Sequence, residues 1–278
     1  MFYLLLAIFS SATLSLLMRL SGDRVRHNIA MLFVNYATCL VIAGTISGWG
    51  NLFPNTAGLP RVLALGGIQG VLYMVSFVLL QYNVNKNGVV LSTVFMKLGL
   101  LVPMLVSVLC FGELPGLWQG LGFVIALGAI VVINLGDGAD GGGFRPMLLL
   151  LLVLGGCGDV MAKIFEELGD PALAPQFLLY TFVAALVLCT ALMIRKGQRP
   201  GGAEVLFGVL LGVPNYFCTK FLLRALETVD AVIAYPTFSV GTLLTVTLVG
   251  VLFFRERLSK RQWAAVAAIL VALVLLNI

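Results

Sequence analysis

Apolar residues come in long runs along this chain, each about as long as a bilayer crossing and each broken by glycine, proline or charge. With that punctuation the runs predict ten segments, at roughly 2–20, 29–48, 61–82, 87–111, 115–135, 146–166, 175–195, 203–226, 229–254 and 261–278. A hydrocarbon core takes roughly 20 residues of helix, and backbone polar groups in lipid must be satisfied inside the segment unless a barrel closes. The period-two alternation of barrel strands is absent, so the segments are expected to be helices. The longest loops, near 48–60 and 136–145, are too short for an extramembrane catalytic domain. The opening run, 2–17, has no basic leader and no small-residue cleavage pattern, and is expected to be a retained first helix.

The runs repeat. A shift of 144 lays Ser15 and Arg19 on Asp159 and Lys163, Tyr36 on Tyr180, and Phe77 on Phe221. A shift of 143 lays Phe111, Gly112 and Glu113 on Phe254, Arg255 and Glu256, Ala129 on Ala272, and Asn134 on Asn277. Polar coincidences at a near-constant offset point to duplication, giving units at 1–144 and 145–278. Five spans is an odd number, so the second unit must start from the opposite side of the membrane. The expected fold is therefore an all-α integral membrane protein of ten transmembrane helices, as two inverted five-helix repeats with a site between them near the midplane.

Composition agrees: 60% of residues are hydrophobic, 10% are charged, and mean hydropathy is +1.08. The excess of 17 basic over 12 acidic residues does not indicate nucleic acid, because the basic residues are dispersed through short loops without a contiguous patch. Loops 1–2, 3–4, 5–6, 7–8 and 9–10 hold twelve of them, from Arg19 to Arg261, against Arg61 and Arg224 opposite. The positive-inside rule then places both termini on the non-cytoplasmic side. Glu166, Glu167 and Asp170 fall on the outer face, in agreement. The five cysteines, Cys39, Cys110, Cys157, Cys189 and Cys218, show no paired or metal-ligand spacing.

Against this background the charges inside spans stand out. Lys97 lies eight residues after Val89, roughly 12 Å down its helix at 1.5 Å per residue, beyond comfortable snorkelling reach. A cation at the bilayer centre costs at least about 2.5–3.5 kcal/mol, so an anion, a carboxylate or a watery cavity is expected beside it. The other reading is a structural lysine capped by carbonyls or a neighbouring helix. Asp159 and Lys163, four apart, can pair with each other. Lys220 can either snorkel or face a cavity. Tyr36 and Tyr180, Gln69 and Tyr73, and Asn215 and Tyr235 are the polar and aromatic residues placed to complete a pocket, although a lone tyrosine in a span is commonly packing. Gly66-x-x-x-Gly70 and Gly208-x-x-x-Gly212 read as close-packing devices. Gly212, Pro214 and Asn215, and Tyr235 with Pro236, are helix-weakening spots.

The run of an apolar helix with a mid-helix proline, then Gly-Glu, then a glycine-rich apolar helix occurs here as Pro103, Phe111-Gly112-Glu113, Gly120, Gly122 and Gly128. It resembles the EamA-like domain of the drug/metabolite transporter superfamily. Phe253 through Glu256 and on to Asn277 looks like a second copy, with Arg255 where glycine is usual. The resemblance implies ten helices, inverted halves and transport of a small solute, without naming the cargo. Lys97 is similar to the fourth-helix lysine of the nucleotide-sugar branch in position only, which hints at an anionic group on the cargo. Glu113 and Glu256 sit at helix ends and read as caps or gates.

The expected function is secondary transport of a small polar metabolite, anionic or zwitterionic, by alternating access, with Lys97 at the central site. The expected location is the bacterial inner (cytoplasmic) membrane. The rivals are export of amphipathic cations or drugs, which needs Asp159 in the cavity and Lys97 neutralised or turned away, and flipping of a lipid-linked sugar. An intramembrane enzyme is disfavoured: the one histidine, His27, is in a loop, and no metalloprotease, pyrophosphate or serine-nucleophile motif is present. No cofactor is called for. The expected partners are a small-molecule substrate, the bilayer and a coupling proton or ion, with no nucleic acid. Two units in one chain fit a monomer or a homodimer.

Overall fold

The computed structural model describes residues 1–50, 52–102, 106, 116–134, 146–226, 228–229, 231–253 and 260–275. Some side chains inside its helices, including those of Lys163, Glu166, Glu167, Tyr235 and Pro236, are not described. The Gly-Glu motif at 111–113 with Pro103, its counterpart at 254–256, and Asn277 lie outside the described residues.

The described elements are α1 (Phe2–Gly22), α2 (Asn28–Ser47), α3 (Leu59–Asn87), α4 (Val89–Lys97), α5 (Leu117–Asn134), α6 (Pro146–Leu168), α7 (Ala174–Arg195), α8 (Gly202–Leu226), α9 (Ala231–Leu252) and α10 (Lys260–Leu275). A 3₁₀ turn, Leu98–Leu100, continues α4, and another, Pro171–Leu173, leads into α7. No strand occurs among the described residues. Five helices, α1, α2, α3, α7 with its leading turn, and α8, are long and apolar enough to cross a membrane, and shorter apolar helices cover Pro146–Met161 and Thr237–Leu252. These helices are apolar outside as well as inside. Leu5, Phe9, Val41, Val187, Leu206 and Leu248 are all exposed, which suits hydrocarbon and not water. The chain is an all-helical integral membrane protein.

The helices pack in matched pairs. α3 lies on α7 and α2 on α8; α1 lies on α8 and α3 on α6; α1 lies on α9 and α4 on α6. Contacts of α2 with α7, α4 with α9 and α5 with α10 complete the set. Exchanging α1–α5 with α6–α10 converts each of the first three couples into itself and leaves the last three contacts unchanged.

Glycine lets two of these crossings close to backbone contact. A Cβ on Gly70 would fall against the Thr181 carbonyl, 2.7 Å from Ala184 Cβ and 2.9 Å from Ala185 N. One on Gly66 would lie 2.9 Å from Tyr180 Cβ and 3.0 Å from the Phe177 carbonyl. On the matching couple, Gly208 meets Val34 and the Met31 carbonyl, and Gly212 meets Thr38 and the Asn35 carbonyl. Both Gly-x-x-x-Gly patterns therefore let backbones touch. Their spacing is 142 positions, an offset that lays Phe77 on Thr219 where the offset of 144 lays it on Phe221.

Polar ties fasten the ends. At one end the Glu204 carboxylate, 5% exposed, accepts hydrogen bonds from Arg26 N (3.0 Å), His27 N (3.1 Å) and Gly201 N (3.0 Å). Asn83 Nδ2 donates to the Met147 carbonyl at the same end, 3.0 Å away. At the other end Tyr180 Oη donates to the Leu52 carbonyl (2.6 Å) and Arg61 Nη1 to the Leu168 carbonyl (3.1 Å). Glu204 satisfies the free N–H groups at the starts of both α2 and α8. Glu204→Ala removes the shared charged acceptor of three partly buried N–H groups, and a loss of about 1–3 kcal/mol is expected. Thermal melts in detergent test this; a melt equal to wild type would show that the carboxylate carries no stability.

Candidate functional site

Seven helices enclose a cavity of about 130 Å³. Its polar lining comes from Ser11 on α1, Gln69, Tyr73 and Ser76 on α3, Lys97 on α4, Asp159 on α6, Thr181 on α7, Asn215, Cys218 and Thr219 on α8, and Ser239 on α9. Aromatic wall is supplied by Phe77, Phe177, Phe182 and Phe238.

Lys97 is held there by helix geometry. α4 loses α-helical hydrogen bonding just after it, where the 3₁₀ turn Leu98–Leu100 begins. The chain crosses α6 at this point with no side chain between backbones: a Cβ on Gly99 would lie 2.7 Å from Gly156 N and 3.0 Å from the Leu152 carbonyl. The close crossing sets Lys97 beside the segment Gly155, Gly158 and Asp159. Lys97 is 8% exposed. Its Nζ donates to Ser11 Oγ at 3.1 Å and stands 3.7 Å from the centroid of the Phe238 ring. The ring face and the hydroxyl partly replace water around the ammonium. Among the described residues no salt bridge holds either Lys97 or Asp159.

Tyr73 is fixed by a 2.7 Å hydrogen bond with Thr219 Oγ1, joining α3 to α8, and it stacks on Phe77 with centroids 6.1 Å apart. Asn215 Nδ2 donates to Asn35 Oδ1 at 3.4 Å. Gln69 is 4% exposed, and its Oε1 is buried without a hydrogen-bond partner among the described residues.

Of the residues predicted from sequence, Lys97, Gln69, Tyr73, Asp159 and Asn215 come together on this wall. Tyr36 does not line it: the ring is fully buried behind Phe77, edge-on at 6.2 Å, where it backs the wall. Tyr180 is spent on the Leu52 carbonyl and the Gly66 crossing, outside the cavity. Lys220 is half-buried and absent from the described lining. The side chains of Tyr235 and Lys163 lie outside the described residues, so the Asp159–Lys163 pair does too.

Sequence reasoning passed over Ser11, Thr181, Cys218, Thr219 and Phe238. A phenylalanine or a small hydroxyl in an apolar run carries no mark that separates lining from packing. The Gly155, Gly156 and Gly158 cluster next to Asp159 was a usable signal, since three glycines so close predict backbone contact at that depth.

The lining also falls into pairs. Ser11 and Gly155, and Leu14 and Gly158, are 144 positions apart; Tyr73 and Asn215, Phe77 and Thr219, Met96 and Phe238, and Lys97 and Ser239 are 142 apart.

Comparison with known proteins fits this architecture. Residues 146–278 match the EamA-like transporter family. A protein of Haemophilus influenzae, described only as uncharacterized, is 26% identical over 284 residues, covering 95% of this chain and 93% of its own. A protein crystal structure aligns over 99% of this chain and 94% of its own with a TM-score of 0.64 and 17% identity, which establishes a shared fold. The second half of the chain is thus similar to the EamA-like transporter family, and the chain shares its overall fold along its length with a solved structure.

Proposed function

We propose that this protein is a secondary transporter of a small polar metabolite carrying a negative group, anionic or zwitterionic, and that Lys97 anchors that group. The observation that carries the reading is a buried ammonium on a cavity wall whose described neighbours are one hydroxyl and one ring face. Such a charge is costly in a membrane interior unless it serves an anion or water. A cavity of about 130 Å³ suits a metabolite in this conformation and not a nucleotide sugar.

In the same reading ten helices form two inverted repeats, 1–144 and 145–278, and alternating access exchanges their conformations. The matched packing couples and the paired lining support it, because a two-fold related pair of units presents equivalent residues to one central space. In this reading the Glu204 end, where the positive loops gather, faces the cytoplasm across a bacterial inner membrane. Drive comes from the cargo gradient, exchange, or a coupled proton or ion.

Export of amphipathic cations finds one point of support, Asp159 on the cavity wall, but it also needs Lys97 neutralised or turned away, and Lys97 lines the same space.

Reconstitution into liposomes tests the function. Labelled small carboxylates and zwitterions are expected to equilibrate across protein-containing vesicles faster than across empty ones, and to be displaced by unlabelled cargo. Accelerated movement of cations alone would sink the reading.

A further inference from the structure

The two described neighbours of the Lys97 ammonium come from different helices and differ in kind. Its Nζ donates to Ser11 Oγ on α1 at 3.1 Å and stands over the Phe238 ring on α9, 3.7 Å from the centroid. The second distance is well inside the roughly 6 Å over which a ring face attracts a cation. Phe238 is itself 9% exposed, set in a small apolar cluster with Leu4, Ala7 and Ile8 of α1, Ala225 of α8 and Ala234 of α9, apart from the main core. The ring is therefore held by α1, α8 and its own helix, while the lysine arrives from α4. Phenylalanine has no donor or acceptor, so the face of its ring is its one polar attribute, and the ammonium stands over that face.

An ammonium has more N–H donors than one hydroxyl can take, so Lys97 keeps donor capacity for an anion in the cavity that it and Phe238 both line. A free lysine stem makes a poor anion site, because a ligand that fixes it costs much rotamer freedom. A stem already held between a hydroxyl and a ring has given up that freedom beforehand. We infer that Phe238 is a positioning residue of the proposed transport site: its ring face holds the Lys97 ammonium at the cavity wall, so that an anionic group meets a charge already in place. The inference rests on the transporter reading and adds to it a requirement for an aromatic face at position 238. The paired lining agrees with it. At the offset of 142, Lys97 answers Ser239 and Phe238 answers Met96, so lysine with ring in one arrangement becomes serine with thioether in the other. Charge and ring occur together, and the matching pair has neither.

The first readout needs no ligand. The purified full chain in detergent, labelled with carbon-13 at the lysine ε-carbons, gives a set of lysine NMR signals from which that of Lys97 is identified by its absence in Lys97→Ala. Protons over a ring face are shielded, so this signal is expected to lie furthest upfield in wild type, to return to the range of the other lysines in Phe238→Leu, and to stay upfield in Phe238→Tyr, which keeps the face. The second readout is the half-saturating concentration of acetate, butyrate and succinate in thermal-shift titrations. Phe238→Leu is expected to weaken the tightest of these about three- to tenfold, and Phe238→Tyr to bind it as wild type does.

A ring that only fills space gives a different pattern: Phe238→Leu then lowers the melting temperature without ligand and leaves carboxylate binding unchanged. That pattern, or a wild-type Lys97 signal in the ordinary range, would overturn the positioning role and leave the transporter reading standing. Carboxylates that fail to stabilise wild type, or that stabilise Lys97→Ala equally, would overturn the anion site and the positioning role together, and an upfield Lys97 signal would then mark a structural contact only. Where Phe238→Leu fails to fold, Phe238→Met takes its place, and the position of the wild-type signal tests the ring contact in either case.

Discussion

Lys97→Ala is expected to give a protein that folds as well as wild type and has lost most of its affinity for cargo. A hydrogen bond to a charged group is worth about 1.5–3 kcal/mol, so the half-saturating concentration of an anionic or zwitterionic ligand should rise about ten- to a hundredfold. Unliganded stability should move the other way or not at all. The ammonium gives the fold one hydroxyl contact and one ring contact, at 3.1 Å and 3.7 Å, and its burial costs solvation that those contacts only partly return. Alanine removes the cost together with the contacts. The two readouts therefore part company, which is what separates a binding lysine from a structural one. A structural lysine would give a lower melting temperature without ligand and an unchanged ligand response in whatever protein survived. Titrating wild type and variant by thermal shift, with and without ligand, delivers both readouts from the same samples.

The asymmetry of the charges strengthens this expectation. The packing offsets bring Lys97 opposite Ser239 and Asp159 opposite Ser15, and both serines are buried. Serine at either place keeps a small polar group and costs little, and Ser15 Oγ simply returns to the Ser11 carbonyl at 3.2 Å. If the halves are the inverted repeats proposed above, a device for holding them together would be expected at both places. In that reading a charge present at one place only, and open to the cavity, marks where the two halves serve different uses.

The fold was legible because in lipid the sequence must solve one problem visibly. Every crossing needs about twenty apolar residues, and every exit is marked by charge, glycine or proline. The described helices begin and end within a few residues of the predicted runs, apart from α4, which gives way to a 3₁₀ turn after Lys97 inside its run, and α3, which continues to Asn87, since Asn83 is fully buried and bonds to the Leu79 and Met147 carbonyls. A polar residue near a span's end reads as its limit, and here tertiary contact carries the helix past it. The site was legible where polarity was expensive. Lys97, Asp159, Gln69 and Asn215 are groups a membrane interior does not tolerate without cause, and they converge on one wall. Tyrosine was a poorer guide, because one ring can serve either purpose: Tyr73 lines the cavity, Tyr36 backs it, and Tyr180 closes an end. Phe238 was invisible for the opposite reason, being ordinary in composition and special only in standing over Lys97.

Gly70→Ala is expected to be strongly damaging for a single-methyl change. The added carbon would meet the Thr181 carbonyl and Ala185 N as well as Ala184 Cβ at 2.7 Å. Two of those neighbours are backbone, which cannot rotate aside, so α3 and α7 must separate along the whole crossing. Overpacking usually costs about 1–3 kcal/mol, and Gly70→Leu should exceed that and leave little monodisperse protein after size exclusion in detergent. Gly67, three residues earlier on the same helix, has nothing within 4 Å of its missing Cβ. Gly67→Ala should therefore match or exceed wild type in melting temperature, because alanine is favoured over glycine in a helix by about 1 kcal/mol. The contrast isolates contact from propensity, since both changes add one methyl to α3. Equal melting temperatures for the two variants would mean that the α3–α7 crossing is looser than the structure has it. The same two-fold logic extends to α8. Gly212→Ala meets the Asn35 carbonyl at 2.8 Å and Thr38 Cβ at 2.6 Å, and should fail in the same way as Gly70→Ala. A marked difference between the two would show that one half of the molecule bears more of the packing than the other.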